Sequence, residues 1–494
     1  RDAIYDSLLT TRREALHERV AATLEARHTD HPDEVADVLA HHWDRAGRAD
    51  KAVRFLALAG ENSLRVYVLE EAEQRFRRAL ELIEADPGAA DDAALTDILL
   101  HLARILYFQY SFFGIIELVE RYLPRVEALG DKKRLSRFLF EGGYARIFAA
   151  EAEPGLELLD RARTLGEEIG DEVAVAYADL GLMWHRVFWG EPGEERRKTQ
   201  RETGKRIVET GKRHGDIWLA SKALLCFGLD GMGWGRPGEA RADLLRLLAL
   251  SRETNDPRPR SMGLWAMAGL HLSEGDYEAA IESADESLRV CLSPVDRLAA
   301  RIYRACALVL AGRIEEGLAA LMHEVRRAEA RGLVFYLAIP LMVVGIGTVI
   351  AGEMARGVGA IEDTVARFTA LGQKIVRPAG DDFLGRVYLQ MAIDGETPPL
   401  SVMVRNFWFL LRTLLVAEKK ARRCLESAAA QHRSFDIPSS LAHNLYSLGL
   451  LDKARKRPAE ARARFEEARE IAASVEATAL VREIDAALAD LPGV

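Results

Sequence analysis

The sequence has few cysteines, and none of them is part of a paired motif. Only four occur among its 494 residues, at Cys226, Cys291, Cys306 and Cys424, and no CxxC or other metal-ligand spacing accompanies them. A disulfide framework and a cysteine-based zinc site are therefore not expected. We interpret these cysteines as small buried residues of a protein in the reducing cytoplasm.

The chain also has no excess of positively charged residues. The chain has 67 Lys and Arg against 76 Asp and Glu, which gives a net charge of −9. This sign opposes binding to a phosphate backbone, so we expect no direct contact with nucleic acid. The opening stretch, from Arg1, is amphipathic and has no signal-peptide core. We expect a segment of a longer cytoplasmic protein.

Motifs that would indicate catalysis are absent. The Gly-Lys pairs Gly204-Lys205 and Gly211-Lys212 precede arginine, not the Ser or Thr of a phosphate-binding loop. Neither G-x-S-x-G nor H-E-x-x-H occurs, and no stretch alternates as a strand would. We predict that this segment is not an enzyme and that it needs no cofactor. A cryptic enzyme site without a sequence signature is the remote alternative.

A histidine-rich region near the start could suggest a metal site. Its members are His28, His31, His41 and His42, interspersed with Asp30, Asp33, Asp37 and Asp44. Adjacent histidines on a helix point about 100° apart and are not expected to face one ion together. The sequence therefore predicts no bound metal.

One long uncharged run could suggest a membrane span. Leu333 to Ile350 contains 18 residues without a charge, but also Pro340, Gly345 and Gly347. The turn and helix opening that follow resemble those elsewhere in the chain. We therefore predict a fully buried helix and no membrane contact.

A helix-hairpin unit that returns about every forty residues dominates the sequence. Gly-Asp pairs separate amphipathic runs at Gly130-Asp131, Gly170-Asp171 and Gly215-Asp216. Glycine is typical of a helix end and aspartate of the cap that begins the next helix. The pattern predicts an all-α protein of stacked hairpins, each of which buries its apolar face against its neighbours.

The second helix of many units has a small residue, a larger one four positions later and a third three further, which share a face; the third is small in the clearest cases and degraded in others. This spacing is found at Ala72/Phe76/Ala79, Gly155/Leu159/Ala162, Ala240/Leu244/Leu247, Ala280/Ala284/Ser287, Gly317/Leu321/Glu324, Gly357/Ile361/Thr364 and Ala461/Phe465/Ala468. Turns align before them, as at Glu191-Pro192 and Arg457-Pro458. The pattern indicates packing between helices.

These positions resemble the tetratricopeptide repeat family, as does Leu448-Gly449 ahead of Ala461, Phe465 and Ala468. The resemblance implies a right-handed superhelical solenoid with a concave groove, built from about ten hairpins. We expect a helical hairpin at residues 1–47 that forms the junction to an upstream region, and the repeat array at 48–393. An insert, a long helix and the final repeat follow at 394–475, and a capping helix at 476–494.

The opening RDAIYDSLLTTRREALHERVAATLEAR and the stretch from His31 to Val66 resemble a junction in large bacterial signalling proteins. There, an AAA-like signal-transduction ATPase leads into tetratricopeptide repeats, in many cases behind a class III adenylate or guanylate cyclase domain. The resemblance implies an interaction scaffold that regulates the attached ATPase or cyclase. The alternative is a small-molecule inducer-binding domain of a LuxR-type ATPase regulator.

Two residue sets are candidate contacts. Aromatic residues near the ends of successive first helices are candidates for a stacking wall for a peptide or ligand, although the sequence favours their burial between units: Tyr107, Tyr110, Tyr144, Trp184, Phe188 and Trp265. A basic patch in the later long helix is a candidate docking site for a protein partner: Lys419, Lys420, Arg422 and Arg423. The partner, the oligomeric state and the output domain stay open.

Overall fold

A computed structural model of the chain describes residues 10–190, 193–335, 337–393 and 400–491. No β-strand occurs within these residues. The helices α1–α25 are, in order, Thr10–Arg27, Ala36–Arg45, Ala49–Arg65, Leu69–Ala85, Asp92–Phe108, Phe112–Ala128, Lys132–Phe148, Ala152–Glu168, Glu172–Trp189, Glu194–Arg213, Ile217–Gly233, Pro237–Thr254, Pro257–Ser273, Tyr277–Val290, Pro294–Leu310, Ile314–Ala330, Ala338–Ile350, Met354–Ala370, Val376–Ile393, Leu400–Arg405, Phe407–Thr413, Ala417–Ser434, Pro438–Ala454, Pro458–Ser474 and Thr478–Ala489. Short 3₁₀ helices lie at Pro32–Val35 and Leu414–Val416. The predicted all-α class is confirmed.

Across the described ranges, the helices from α3 to α24 form ten hairpins, as the repeat pattern predicts. The predicted turn at Glu191-Pro192 lies outside the described residues. So do residues 1–9 of the predicted N-terminal hairpin, 394–399 of the predicted insert and 492–494 of the predicted cap. Among the described residues, α1 packs on α2, and α25 is the last helix.

The Gly-Asp turns have the predicted geometry. Gly130, Gly170 and Gly215 all have positive φ angles, between 64° and 72°, which glycine adopts without strain. After the last of these, the Asp216 carboxylate accepts the Leu219 N–H at 3.0 Å. After Gly170, the Asp171 carboxylate accepts the Ala174 N–H at the same distance. Glycine therefore ends one helix, and aspartate caps the next.

The small-large-small residues of the repeats form the interhelical contacts. Ala72, Phe76 and Ala79 are fully buried, and so are their counterparts near the other end of the chain, Ala461, Phe465 and Ala468. The opposite helix supplies a glycine: a Cβ atom on Gly449 would lie 2.5 Å from the Phe465 ring. The close approach of the two helices therefore depends on the missing side chain.

The contacts divide the chain into two compact units. The first contains the residues up to Arg146 together with Glu157–Val175, and the second contains Ile147–Leu156 and Ala176–Val494. In the first unit, α3 and α4 form the hairpin that buries Phe55 and Phe76. In the second, consecutive hairpins extend from α11 to α24. The boundaries expected from the sequence, at residues 47, 393 and 475, stay predictions.

The predicted insert does not interrupt the pairing of helices in the second unit. Helix α19 packs along α22, although α20 and α21 lie between them in sequence. A Cβ atom on Gly385 would lie 2.7 Å from Leu425, and Ser427 donates its hydroxyl to Asp381 at 2.8 Å. Two short helices, α20 and α21, and a 3₁₀ turn precede α22, the 18-residue helix that contains the predicted basic patch.

The uncharged run Leu333–Ile350 forms a shorter and less buried helix than expected. Helix α17 begins at Ala338, after a turn, and spans 13 residues. Its inner face is buried at Met342 and Val343, but Ile339 and Ile350 are exposed. In the described part of the chain, no helix combines the length and apolar character needed to cross a bilayer.

Turns far apart in the sequence contact one another within the second unit. Ser439 donates its backbone N–H to the Gly235 carbonyl at 3.2 Å, and Arg236 pairs with Asp436 at 2.6 Å. Trp189 donates its indole N–H to the Leu371 carbonyl, 182 residues later, at 2.7 Å. A simple solenoid has contacts between neighbouring repeats only, so this unit has an additional set of contacts.

Candidate functional site

The three tyrosines of the predicted aromatic wall are buried in the first unit. Tyr107, on α5, has its ring centroid 6.0 Å from that of Tyr144, on α7. Tyr144 stacks on Phe140 at 5.1 Å. Tyr110 lies in the turn after α5, with a φ angle of 50°. All three side chains are at most 3% exposed, so they fill the space between successive helices.

Trp184 and Phe188 contact an aromatic residue of the chain itself. Phe335, in the turn between α16 and α17, is buried, and its ring centroid lies 4.4 Å from those of Phe148 and Phe188. Trp184 is 6.1 Å from the same ring. The Phe335 N–H donates to the Phe148 carbonyl at 3.2 Å, and Gln373 donates its side-chain amide to the Phe335 carbonyl at 2.5 Å. Phe335 therefore occupies the aromatic site that the sequence suggests for a ligand.

Trp265 joins two successive first helices. Its ring stacks on Tyr303 with centroids 5.9 Å apart, and its indole N–H donates to Asp296 at 3.0 Å. The side chain is 8% exposed. Five of the six predicted aromatic residues are thus buried, and Phe188 is half-buried. Their contact with a ligand stays a prediction.

The basic helix α10 is bound to the next hairpin by its arginines. Arg196 pairs with Asp230 on α11 at 2.6 Å, and Arg197 and Arg201 pair with Glu239 on α12 at 3.1 and 2.6 Å. Each of these carboxylates belongs to one of the two helices that follow α10. Burial raises the pKa of Asp230, although Arg196 opposes that shift. The helix therefore has a structural role.

The predicted basic patch is only partly free for docking. Arg422 pairs with the buried Asp452 at 2.8 Å, and the Lys420 ammonium lies 4.9 Å from the centre of the Tyr388 ring. Lys419 and Arg423 are exposed. Arg422 and Lys420 thus contribute to the packing of α22, while Lys419 and Arg423 are available to a partner.

An exposed apolar surface precedes this patch. We call it the apolar docking surface; it consists of Val404, Phe407, Trp408, Leu411, Leu414 and Leu415. Trp408 is 68% exposed and Leu415 is 90% exposed. Isolated exposed apolar residues are ordinary, but a contiguous group of this kind is typical of an interaction site. The sequence prediction missed it because apolar residues occur on all faces of this stretch.

The opposite side of the same segment is firmly anchored. Asn406 is buried, its side-chain amide donates to the Gly352 carbonyl at 2.6 Å, and its side-chain oxygen accepts the Ala355 N–H at 3.4 Å. Leu410 and Thr413 are buried as well. The anchoring holds the apolar docking surface outward.

Three histidines converge in the N-terminal hairpin. The Nδ1 atoms of His17, on α1, and His42, on α2, are 2.7 Å apart. The centroid of the His41 ring is 5.8 Å from that of His17 and 5.3 Å from that of His42. The packing of α1 on α2 adds a third ring, His17, which the sequence pattern of adjacent histidines did not include. His28 and His31 are not in this group.

Comparison with known proteins identifies no family. No family model matches the chain, and no curated protein matches it. Solved structures are similar to it only weakly. Human IFIT1, in a dimer with m7Gppp-AAAA, is 11% identical, with a TM-score of 0.38 over 85% of this chain and 90% of its own. Yeast Tom70 is 14% identical, with a TM-score of 0.35 over 89% of this chain and 96% of its own. Sequence identities and TM-scores this low give no information about what this chain binds.

Proposed function

We propose that this chain is a non-catalytic scaffold and sensor that binds a protein and thereby regulates an attached cytoplasmic signalling ATPase or nucleotide cyclase. The apolar docking surface is the observation that carries the proposal. Exposure of large apolar side chains costs free energy in water, which burial against a partner would recover. Trp408 and the leucines around it are suited to be the anchors of such an interface.

Charge around this surface indicates the chemistry of the partner. Arg405 and Arg412 are exposed within the segment, and Lys419 and Arg423 are exposed just after it. No acidic residue occurs from Leu400 to Ala417. A matching protein surface would present apolar side chains bordered by carboxylates. The domains of the parent protein are the partners we favour, because the N-terminal segment resembles a junction to an ATPase.

The predicted aromatic contacts are a less favoured site within the same proposal. Tyr107, Tyr110, Tyr144 and Trp265 are buried among the chain's own residues. A peptide or small inducer at Trp184 and Phe188 would have to displace Phe335. The apolar docking surface needs no such rearrangement.

The test uses the full-length protein with Trp408→Glu and Leu415→Glu. Charge on this surface should abolish regulation of the ATPase or cyclase and weaken docking of the upstream domains by more than about thirtyfold, the effect of losing one strong interface anchor. Leu245→Glu is the matched control, since Leu245 is 52% exposed on α12 and remote in sequence. Circular dichroism and the urea midpoint should not change in any variant.

Four outcomes would contradict the proposal. The first is a full-length protein without an ATPase or cyclase domain. The second is unchanged regulation in the Trp408→Glu, Leu415→Glu variant. The third is an equal loss in the Leu245→Glu control. Binding of the wild-type chain, but not of the double variant, to anionic phospholipid vesicles would assign the surface to a membrane instead.

A further inference from the structure

The histidine cluster of the N-terminal hairpin has the composition of a transition-metal site. One ring nitrogen from each of His17, His41 and His42 lies within 4.8 Å of the other two. Two helices contribute these nitrogens, so an ion bound between them would connect α1 to α2. Imidazole is a ligand that suits Zn²⁺, Cu²⁺ and Ni²⁺.

The separations are close to those required around zinc. Tetrahedral Zn²⁺ with bonds of about 2.0–2.1 Å places neighbouring ligand nitrogens about 3.3 Å apart. The Nδ1 atoms of His17 and His42 lie at 2.7 Å, and the third nitrogen is within 4.8 Å. The three rings therefore approach the spacing of a zinc site, and binding of an ion would require the nitrogens of His17 and His42 to move slightly apart.

The surroundings favour the neutral form of imidazole that binds metal. Burial lowers the pKa of His17, and the nearby His41 and Arg45 lower it further. Burial also lowers the pKa of His42, together with His17 and His41. Neutral rings have a free nitrogen lone pair at pH 7. His41 is exposed, so the remaining coordination position would open to water.

We propose that His17, His41 and His42 bind one divalent transition-metal ion, with water as the fourth ligand. Zn²⁺ is the ion that we favour. The ion would hold α1 against α2 and stabilise the N-terminal hairpin, because its ligands are assembled only in the folded state. The site shares no residue with the apolar docking surface and does not depend on the proposed function.

The test is a calorimetric titration of the tag-free, chelator-treated chain with ZnCl₂. We expect a single ion per chain and, with Co²⁺, the visible absorption of a tetrahedral centre. His41→Ala should weaken Zn²⁺ binding roughly tenfold or more, since one of its ligands is lost. His41 is exposed and alanine favours the helix, so the variant should fold. Zn²⁺ should raise the melting temperature of the wild type but not of His41→Ala.

The matched controls are His28→Ala and His31→Ala. Both histidines belong to the connection between α1 and α2, yet neither is part of the converging group. Their replacement should leave Zn²⁺ affinity unchanged. The proposal is overturned if the wild type binds no Zn²⁺ in the titration, if His41→Ala binds it as tightly as the wild type, or if either control weakens binding to the same extent.

Discussion

Two glycines of α18 show how sharply the surroundings of single residues differ. A Cβ atom on Gly357 would lie 2.5 Å from the carbonyl oxygen of Gly345 and 2.7 Å from the backbone nitrogen of Val349. Backbone atoms cannot rotate away, so the helices would have to separate. At Gly359, two residues later, no atom lies within 4 Å of such a Cβ.

We expect opposite effects from the same substitution at these positions. Gly357→Ala should lower the free energy of unfolding by about 1–3 kcal/mol, the usual cost of overpacking. Gly359→Ala should raise it by about 0.5–1 kcal/mol, because alanine favours the helix. Urea denaturation followed by circular dichroism measures both. A shift of the two midpoints in the same direction would contradict the packing described for α18.

At this scale the sequence shows which residues are small but not what they touch. The spacing of Gly357, Ile361 and Thr364 predicts a buried face, and all three are buried. The role of His17 could not be predicted, because the pattern of one helix does not show which residue of another helix will face it. For Tyr107 and Trp184 the sequence allows either burial or contact with a ligand, and both side chains are buried.

The turn between α16 and α17 is an element whose contacts are distant in sequence. Phe335 packs on Phe148 and Phe188, and the Val334 N–H donates to the Phe148 carbonyl at 2.9 Å. The turn therefore links α9 and the end of α7 to repeats that follow more than a hundred residues later. Its aromatic ring contacts the rings of Phe148, Trp184 and Phe188.

Phe335→Ala should lower the free energy of unfolding by about 3–5 kcal/mol, as expected for deletion of a buried aromatic ring. Hydrogen exchange should accelerate in the turn and also at the C-terminal end of α9. Val334→Ala is the control, because it keeps the backbone hydrogen bond and removes a side chain that is only half-buried. Faster exchange confined to the turn would show that the aromatic contact does not couple these elements.

The hairpins could be predicted at the scale of elements, but the insert could not. Helical periodicity reports which face of a helix is buried, and the Gly-Asp pairs mark where helices end. Neither signal reports a contact between distant turns. The short helices α20 and α21 could not be predicted, because their apolar residues do not follow one face.

At the scale of the whole molecule, the second unit contains contacts between repeats that are not neighbours in the sequence. Arg236 and Asp436 are 200 residues apart and form an ion pair of 2.6 Å. Gly238 donates its backbone N–H to the Val475 carbonyl at 3.4 Å. Such contacts should couple the stability of repeats that are not neighbours, which the repeat pattern alone does not predict.

A double-mutant cycle with Arg236→Gln and Asp436→Asn measures this coupling. Asparagine tolerates the positive φ angle of 54° at residue 436, so the substitution adds little strain. Because Asp436 is half-exposed, we expect a coupling free energy of about 0.5–1 kcal/mol from urea denaturation, falling at high salt. Additive effects of the two substitutions would contradict a contact between these turns in solution.

The long distance in sequence between Gly235 and the residues that it contacts also has a consequence for synthesis of the protein on the ribosome. A ribosome adds roughly 5–20 residues per second, so a partner 200 residues later emerges about 10–40 s after its counterpart. For that interval, the nascent chain displays an incomplete second unit to other proteins in the cell. The yield of native protein should therefore depend on translation speed and on chaperones that shield the early repeats.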